Sequence, residues 1–103
     1  MSRAAFEPAG DSLYRVSGEL DFDSVPELWQ RSVSCLDGDA APRIDMAQVT
    51  GVDSAGLALV LEWVRSGVRT QRPVRFLNIP DKLLALARIS EVSGLINGAT
   101  GSH

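Results

Sequence analysis

Lysine and histidine are almost missing from this chain: Lys82 is the only lysine, and the terminal His103 the only histidine. Nucleophilic catalysis by a serine or threonine needs a base within reach, and with no internal imidazole and one primary amine an enzyme of that kind is disfavoured. Cysteine is equally scarce. Cys35 stands alone, so an intrachain disulfide is excluded, and its place on the apolar face of an expected helix reads as a buried, inert thiol of the reducing cytosol. No run approaches the roughly 18 apolar residues of a membrane span, and the N-terminus lacks the basic-then-apolar order of a signal peptide. A global excess of positive charge is missing too. With a net charge of -3 and a pI near 5.0, no field favours sequence-independent nucleic-acid binding. Phosphate loops are absent, because Gly51 and Gly56 come without a Walker lysine or dinucleotide spacing.

What is present fits one small domain over residues 1–103, with 45% hydrophobic and 22% charged residues in 103. Residues 5–19 hold two short runs separated by Pro8-Ala9-Gly10-Asp11, turn formers that should close a hairpin. The connector Gly18-Glu19-Leu20-Asp21-Phe22-Asp23 carries three carboxylates but no histidine, so a metal site there is disfavoured. Ser24-Val25-Pro26-Glu27 reads as a capping box, after which Val25, Leu28, Trp29, Ser32, Cys35 and Leu36 share one helical face. Asp37-Gly38-Asp39 ends that helix. Strands are expected over 42–47 and 74–78, joined by a helix after Asp53, and a last helix opens at Pro80 with Asp81 as its cap. This order implies a small mixed sheet, antiparallel in the hairpin and parallel through the crossovers. Val92, Leu95 and Ile96 add a short strand or pack down, and the small polar residues 97–103 are expected to fray.

The organising stretch is 44–61: a buried strand, a tight polar turn and an apolar helix. On the helix, Leu57, Val60, Leu61, Val64 and Val68 form one stripe, read as core, while Ala55, Leu59, Trp63 and Ser66 lie opposite. Leu59 and Trp63 are either shielded by a neighbouring helix or form a protein-binding patch, tryptophan being enriched in interface hot spots. Gly56, costly inside a first helical turn, marks a close approach of another backbone or of a partner. Asp53 and Ser54 are both candidate N-caps. If Asp53 is the cap, Ser54 is free, and a phosphate there would change the surface charge without unfolding the helix. Arg65, Arg69, Arg72 and Arg75 read as a solvated basic face around the helix end, with a supplementary contact to an acidic partner surface or anionic lipid as the alternative.

Ile44-Asp45-Met46 followed by Val52-Asp53-Ser54-Ala55-Gly56-Leu57 resembles the signature of STAS domains, and Gly18-Glu19-Leu20-Asp21 is similar to that family's entry segment. Within the family, Glu27-Leu28-Trp29 and Asn78-Ile79-Pro80 with the following 83–89 look like the MlaB-type branch. The resemblance implies an α/β STAS fold and a non-catalytic regulatory or assembly subunit, without cofactor or metal. Its partner would be the cytosolic ATPase subunit of a bacterial inner-membrane phospholipid-transport ABC complex. The partner-binding residues would be Asp53, Ser54, Ala55, Gly56, Leu59 and Trp63, and the location cytoplasmic, peripheral at the inner membrane through that complex. The alternative is an anti-sigma-factor antagonist in which an anti-sigma kinase phosphorylates Ser54.

Overall fold

Alternation of buried and solvent-facing residues along the strands dictates a sheet with one covered face. The computed structural model describes residues 4–92 and 94–96, in the order β1 (Ala5–Gly10), β2 (Leu13–Leu20), α1 (Val25–Leu36), β3 (Arg43–Val52), α2 (Ser54–Thr70), β4 (Arg75–Leu77) and α3 (Asp81–Ile89). The sheet order is β1-β2-β3-β4, with β1 antiparallel to β2 and the other neighbours parallel, the mixed sheet expected. Phe6, Tyr14, Val16, Ile44, Met46 and Phe76 point to the covered side. Residues between them, in the cross-strand row Glu7, Arg15, Asp45, alternate in charge across the other side.

Several boundaries differ from expectation, each for a local reason. The hairpin turns at Asp11 and Ser12, both at positive φ as a two-residue primed turn requires, while Pro8 stays in the edge strand, where its missing N–H is harmless. β3 runs on to Val52, since residues 48–52 find partners in the end of β2 across two register irregularities. Ser24 does not close a capping box. Its Oγ donates to the Glu19 carbonyl at 2.7 Å and accepts from the Asp21 N–H at 3.0 Å, so the hydroxyl ties the loop instead. The Asp21 carboxylate accepts from the Asp23 and Ser24 N–H groups, which accounts for one of the three connector acids as loop structure. In α3 the cap is Pro80, whose extended backbone offers its carbonyl to Leu83 and Leu84, and Asp81 is the first helical residue. Residues 94–96 form a helical turn rather than a strand, with Ile96 buried and Leu95 outward. The expected fraying of 97–103 falls outside the described residues. Cys35 is half-buried, not buried.

Trp63 sits at the centre of the core. Its ring lies 5.6 Å from Phe6 of β1 and 6.2 Å from Phe76 of β4, so one side chain bridges the two edges of the sheet. Its Nε1–H donates to Ser32 Oγ at 2.8 Å, and the Ser32 hydroxyl in turn donates to the Trp29 carbonyl at 2.8 Å. The buried polar groups of both helices are thereby satisfied. At the far end, Tyr14 donates to Asp39 Oδ2 at 2.6 Å, which pins the loop after α1 to the sheet.

The Tyr14 hydroxyl, held chiefly by the Asp39 carboxylate, is pushed up to about 12, and the same bond holds Asp39 below the usual carboxylate range. A raised tyrosine contributes stability below its unfolded value of about 10, lost as pH climbs toward 12, and a lowered carboxyl contributes stability above its unfolded value of about 4, lost as pH falls. Tyr14→Phe is therefore expected to flatten the pH dependence of the thermal midpoint at both extremes; an unchanged acid and alkaline limb would contradict this link.

Candidate functional site

The parallel strands β2 and β3 end side by side, Leu20 opposite Val52, and the chain enters α2 directly from that edge. The Asp53 N–H donates to the Leu20 carbonyl at 3.2 Å. The Asp53 carboxylate then turns inward, its Oδ1 accepting from the N–H groups of Ala55 at 2.8 Å and Gly56 at 3.3 Å. Asp53 is thus the N-cap, and Ser54, the first helical residue, is exposed. Beside it lies the loop joining β2 to α1, where Phe22 is 74% exposed.

Gly56 is where helix meets sheet. A Cβ built there would stand 2.4 Å from Val52 Cγ2 and 2.7 Å from the Leu20 carbonyl oxygen, so only glycine allows this approach. A second such contact closes the other end, because a Cβ on Gly67 would lie 2.9 Å from the Arg72 carbonyl. Both glycines lie on the Leu59 and Trp63 side of α2, and that side is pulled into the core. The docking patch expected of Leu59 and Trp63 is therefore corrected: they are 2% and 1% exposed, shielded by α1 and the sheet. Gly56 is likewise buried and serves helix packing, while Ala55 is half-buried at the flank.

The opposite stripe faces solvent. Ser54, Ala58, Leu61, Arg65 and Val68, spaced at three and four residues, run along one side of α2. Leu61 and Val64, expected in the core, are half-buried, and Val68 is 72% exposed. With Leu95, 55% exposed, and the stems of Arg65 and Arg69, they line a groove of about 450 Å³ that is mostly apolar. This face is hard to read from the sequence because α2 is apolar nearly all round; the signal that marks it is the common side of Gly56, Trp63 and Gly67.

Among the described residues, no cluster of three His, Cys, Asp or Glu side chains is placed to hold a metal ion. The carboxylate nearest the Ser54 hydroxyl in sequence, Asp53, is committed to two backbone N–H groups.

A four-stranded mixed sheet with its helices on one face, and a serine at the start of the helix leaving the central strand, define a STAS fold. The anti-sigma factor antagonist SpoIIAA in its unphosphorylated form superposes with a TM-score of 0.68 at 16% identity over 90% of this chain and 84% of that one. A chain of the Acinetobacter MlaFEDB complex in an ATP-bound conformation gives 0.65 at 23% identity over 80% of this chain and 87% of that one. Residues 6–97 match the domain family described as "Mlab, STAS domain". The chain is also 34% identical, over 80 residues, to the intermembrane phospholipid transport system binding protein MlaB of Escherichia coli strain K12 and to that of Shigella flexneri, covering 78% of this chain and 79% of each relative. It belongs to the MlaB-type STAS domain family.

Replacing Asp53 by alanine strands two helix N–H groups and is expected to cost about 0.5–2 kcal/mol. Ser54→Asp, at an exposed first-turn position, should change the thermal midpoint little; a melt of the two variants showing the reverse order would refute this division of labour.

Proposed function

We propose that this chain is a non-catalytic regulatory or assembly subunit of a phospholipid-transport ABC complex at the bacterial inner membrane, and that it docks on the cytosolic ATPase subunit through the outward side of α2. The observation that carries the reading is the outward side of α2, where exposed Val68 adjoins half-buried Leu61 and Val64. Single exposed aliphatic residues are ordinary, but here Val68, Leu95, Leu61 and Val64 adjoin in one groove, which offers a partner a continuous apolar floor. Family membership supports the same assignment, because the curated relatives are named as binding proteins of an intermembrane phospholipid transport system. No helix among the described residues is long and apolar enough to cross a membrane, so the proposed peripheral association, on the cytoplasmic side, runs through the partner. Asp53, Ser54 and Ala55 remain in the proposed contact as its helix-start edge, whereas Gly56, Leu59 and Trp63 act from within the fold.

A second reading has its own observation. Ser54 is exposed next to a cap that does not need its hydroxyl, so a kinase could reach it, as an anti-sigma-factor antagonist in a partner switch would require. The experiment that separates the two is purification of the tagged chain from gently solubilised native cells, with identification of what accompanies it and measurement of phosphate on Ser54. An ABC ATPase with unmodified Ser54 supports the transport subunit; a soluble serine kinase with phosphate on Ser54 supports the switch and overturns the transport reading.

Two substitutions on opposite sides of α2 test the docking face. Val68→Asp should leave the fold within about 0.5 kcal/mol of the parent yet weaken capture of the ATPase. Trp63→Ala should cost about 3–5 kcal/mol and lower the melting temperature sharply, since it empties the core. A Trp63→Ala protein of unchanged stability would return that ring to the surface.

A further inference from the structure

The groove along α2 has a border of one sign. Arg65 and Arg69 flank the apolar floor made by Leu61, Val64, Val68 and Leu95, and the only acid on the whole helix is Glu62, already 3.5 Å from Arg65. Both arginines line the groove and both are exposed, the Arg65 side chain at 71%. We infer that the partner surface seated here is an amphipathic protein segment whose apolar ridge is bordered by carboxylates, so that Arg65 and Arg69 set its register and its rate of association. This rests on the docking reading above and adds the chemistry of the partner to it.

Three other occupants fit less well. A second copy of this chain would bring two more arginines to the border and, from α2, no carboxylate beyond a Glu62 that is already paired. Residues 97–103 hold one apolar side chain, Ala99, which cannot fill a groove of this length. A lipid surface would meet two arginines and short aliphatic side chains, with no tryptophan or phenylalanine on the stripe, in a chain of net charge -3. An acid-bordered segment instead satisfies both the floor and the rim. Arginine favours this use, because its planar fork pairs with carboxylates in two parallel bonds.

The test measures binding of the purified ATPase subunit of the phospholipid-transport complex to the full chain, at about 0.05 M and about 0.5 M salt, a range over which the Debye length shortens severalfold. The Arg65→Glu, Arg69→Glu double variant should lose about tenfold or more in affinity, mainly through slower association, and should flatten the salt dependence. Arg65→Lys with Arg69→Lys should retain most of the salt dependence, and Arg88→Glu, on α3 and outside the groove's lining, should bind as the parent does. Melting curves for each variant confirm the fold. If Val68→Asp abolishes binding while charge reversal leaves affinity and salt dependence unchanged, the acidic border is refuted and the docking face stands. If no ATPase binds even the parent chain, the functional reading itself fails. Co-sedimentation of the parent with phosphatidylglycerol vesicles, or a dimer in sedimentation velocity, that charge reversal or Val68→Asp removes would overturn the inference in favour of a lipid surface or a second copy.

Discussion

The rotation of α2 about its own axis is the constraint on which the molecule depends, and two glycines and one tryptophan set it. Gly56 brings the first turn against Val52 and Leu20, Gly67 brings the last turn under the 72–74 segment, and Trp63 fills the space between them. A helix as apolar as this one has more than one side it could bury. The glycines decide, because only their side can approach the sheet closely enough for Trp63 to reach both Phe6 and Phe76. Once that side is inward, the stripe from Ser54 to Val68 has no choice but to face out. The packed side and the outward side of α2 are consequences of one rotation.

The same arrangement keeps the outward side of α2 independent of the fold's stability. Asp53 rather than Ser54 satisfies the helix N-terminus, and the Trp63 indole is satisfied by Ser32 rather than by anything at the surface. A substituent on Ser54 therefore meets neither the cap nor the core. Phe22 joins the exposed end for a comparable reason: Asp21 and Ser24 hold their loop through backbone N–H groups and carbonyls, and none of those bonds involves the Phe22 side chain.

Topology was legible in the sequence because it follows from signals that act locally: turn formers before β2, the buried run that opens β3, and crossovers of helical length that imply parallel pairing. The strand-to-helix edge at Asp53 and Ser54 was legible for the same reason. The face of α2 was not. Apolar periodicity identifies a helix but cannot choose between two apolar stripes, and what chose here was the closeness of approach at Gly56 and Gly67, a property of three dimensions. The Ser24 cap failed differently. Its hydroxyl had two competing uses, and the Glu19 carbonyl, five residues back across the connecting loop, won it. Cys35 and Asp81 missed by a fraction of a turn each.

Transport subunit and phosphorylation switch share a fold, and the charge along α2 bears on whether they could share a mechanism. The start of the helix is acidic, with Asp53 at the cap and Asp21 and Asp23 in the adjoining loop, and its last turns are basic, with Arg65 and Arg69. Eleven residues separate Ser54 from Arg65, about 16 Å along the axis. That is roughly twice the Debye length of about 8 Å at physiological salt, so a phosphate on Ser54 would barely be felt by the arginines through solvent. It could act only where it sits, by repelling a partner already facing carboxylates at that end or by obstructing it. A partner whose own acidic border lies over the arginine end would then be released from the helix start outward, with its register contacts the last to go.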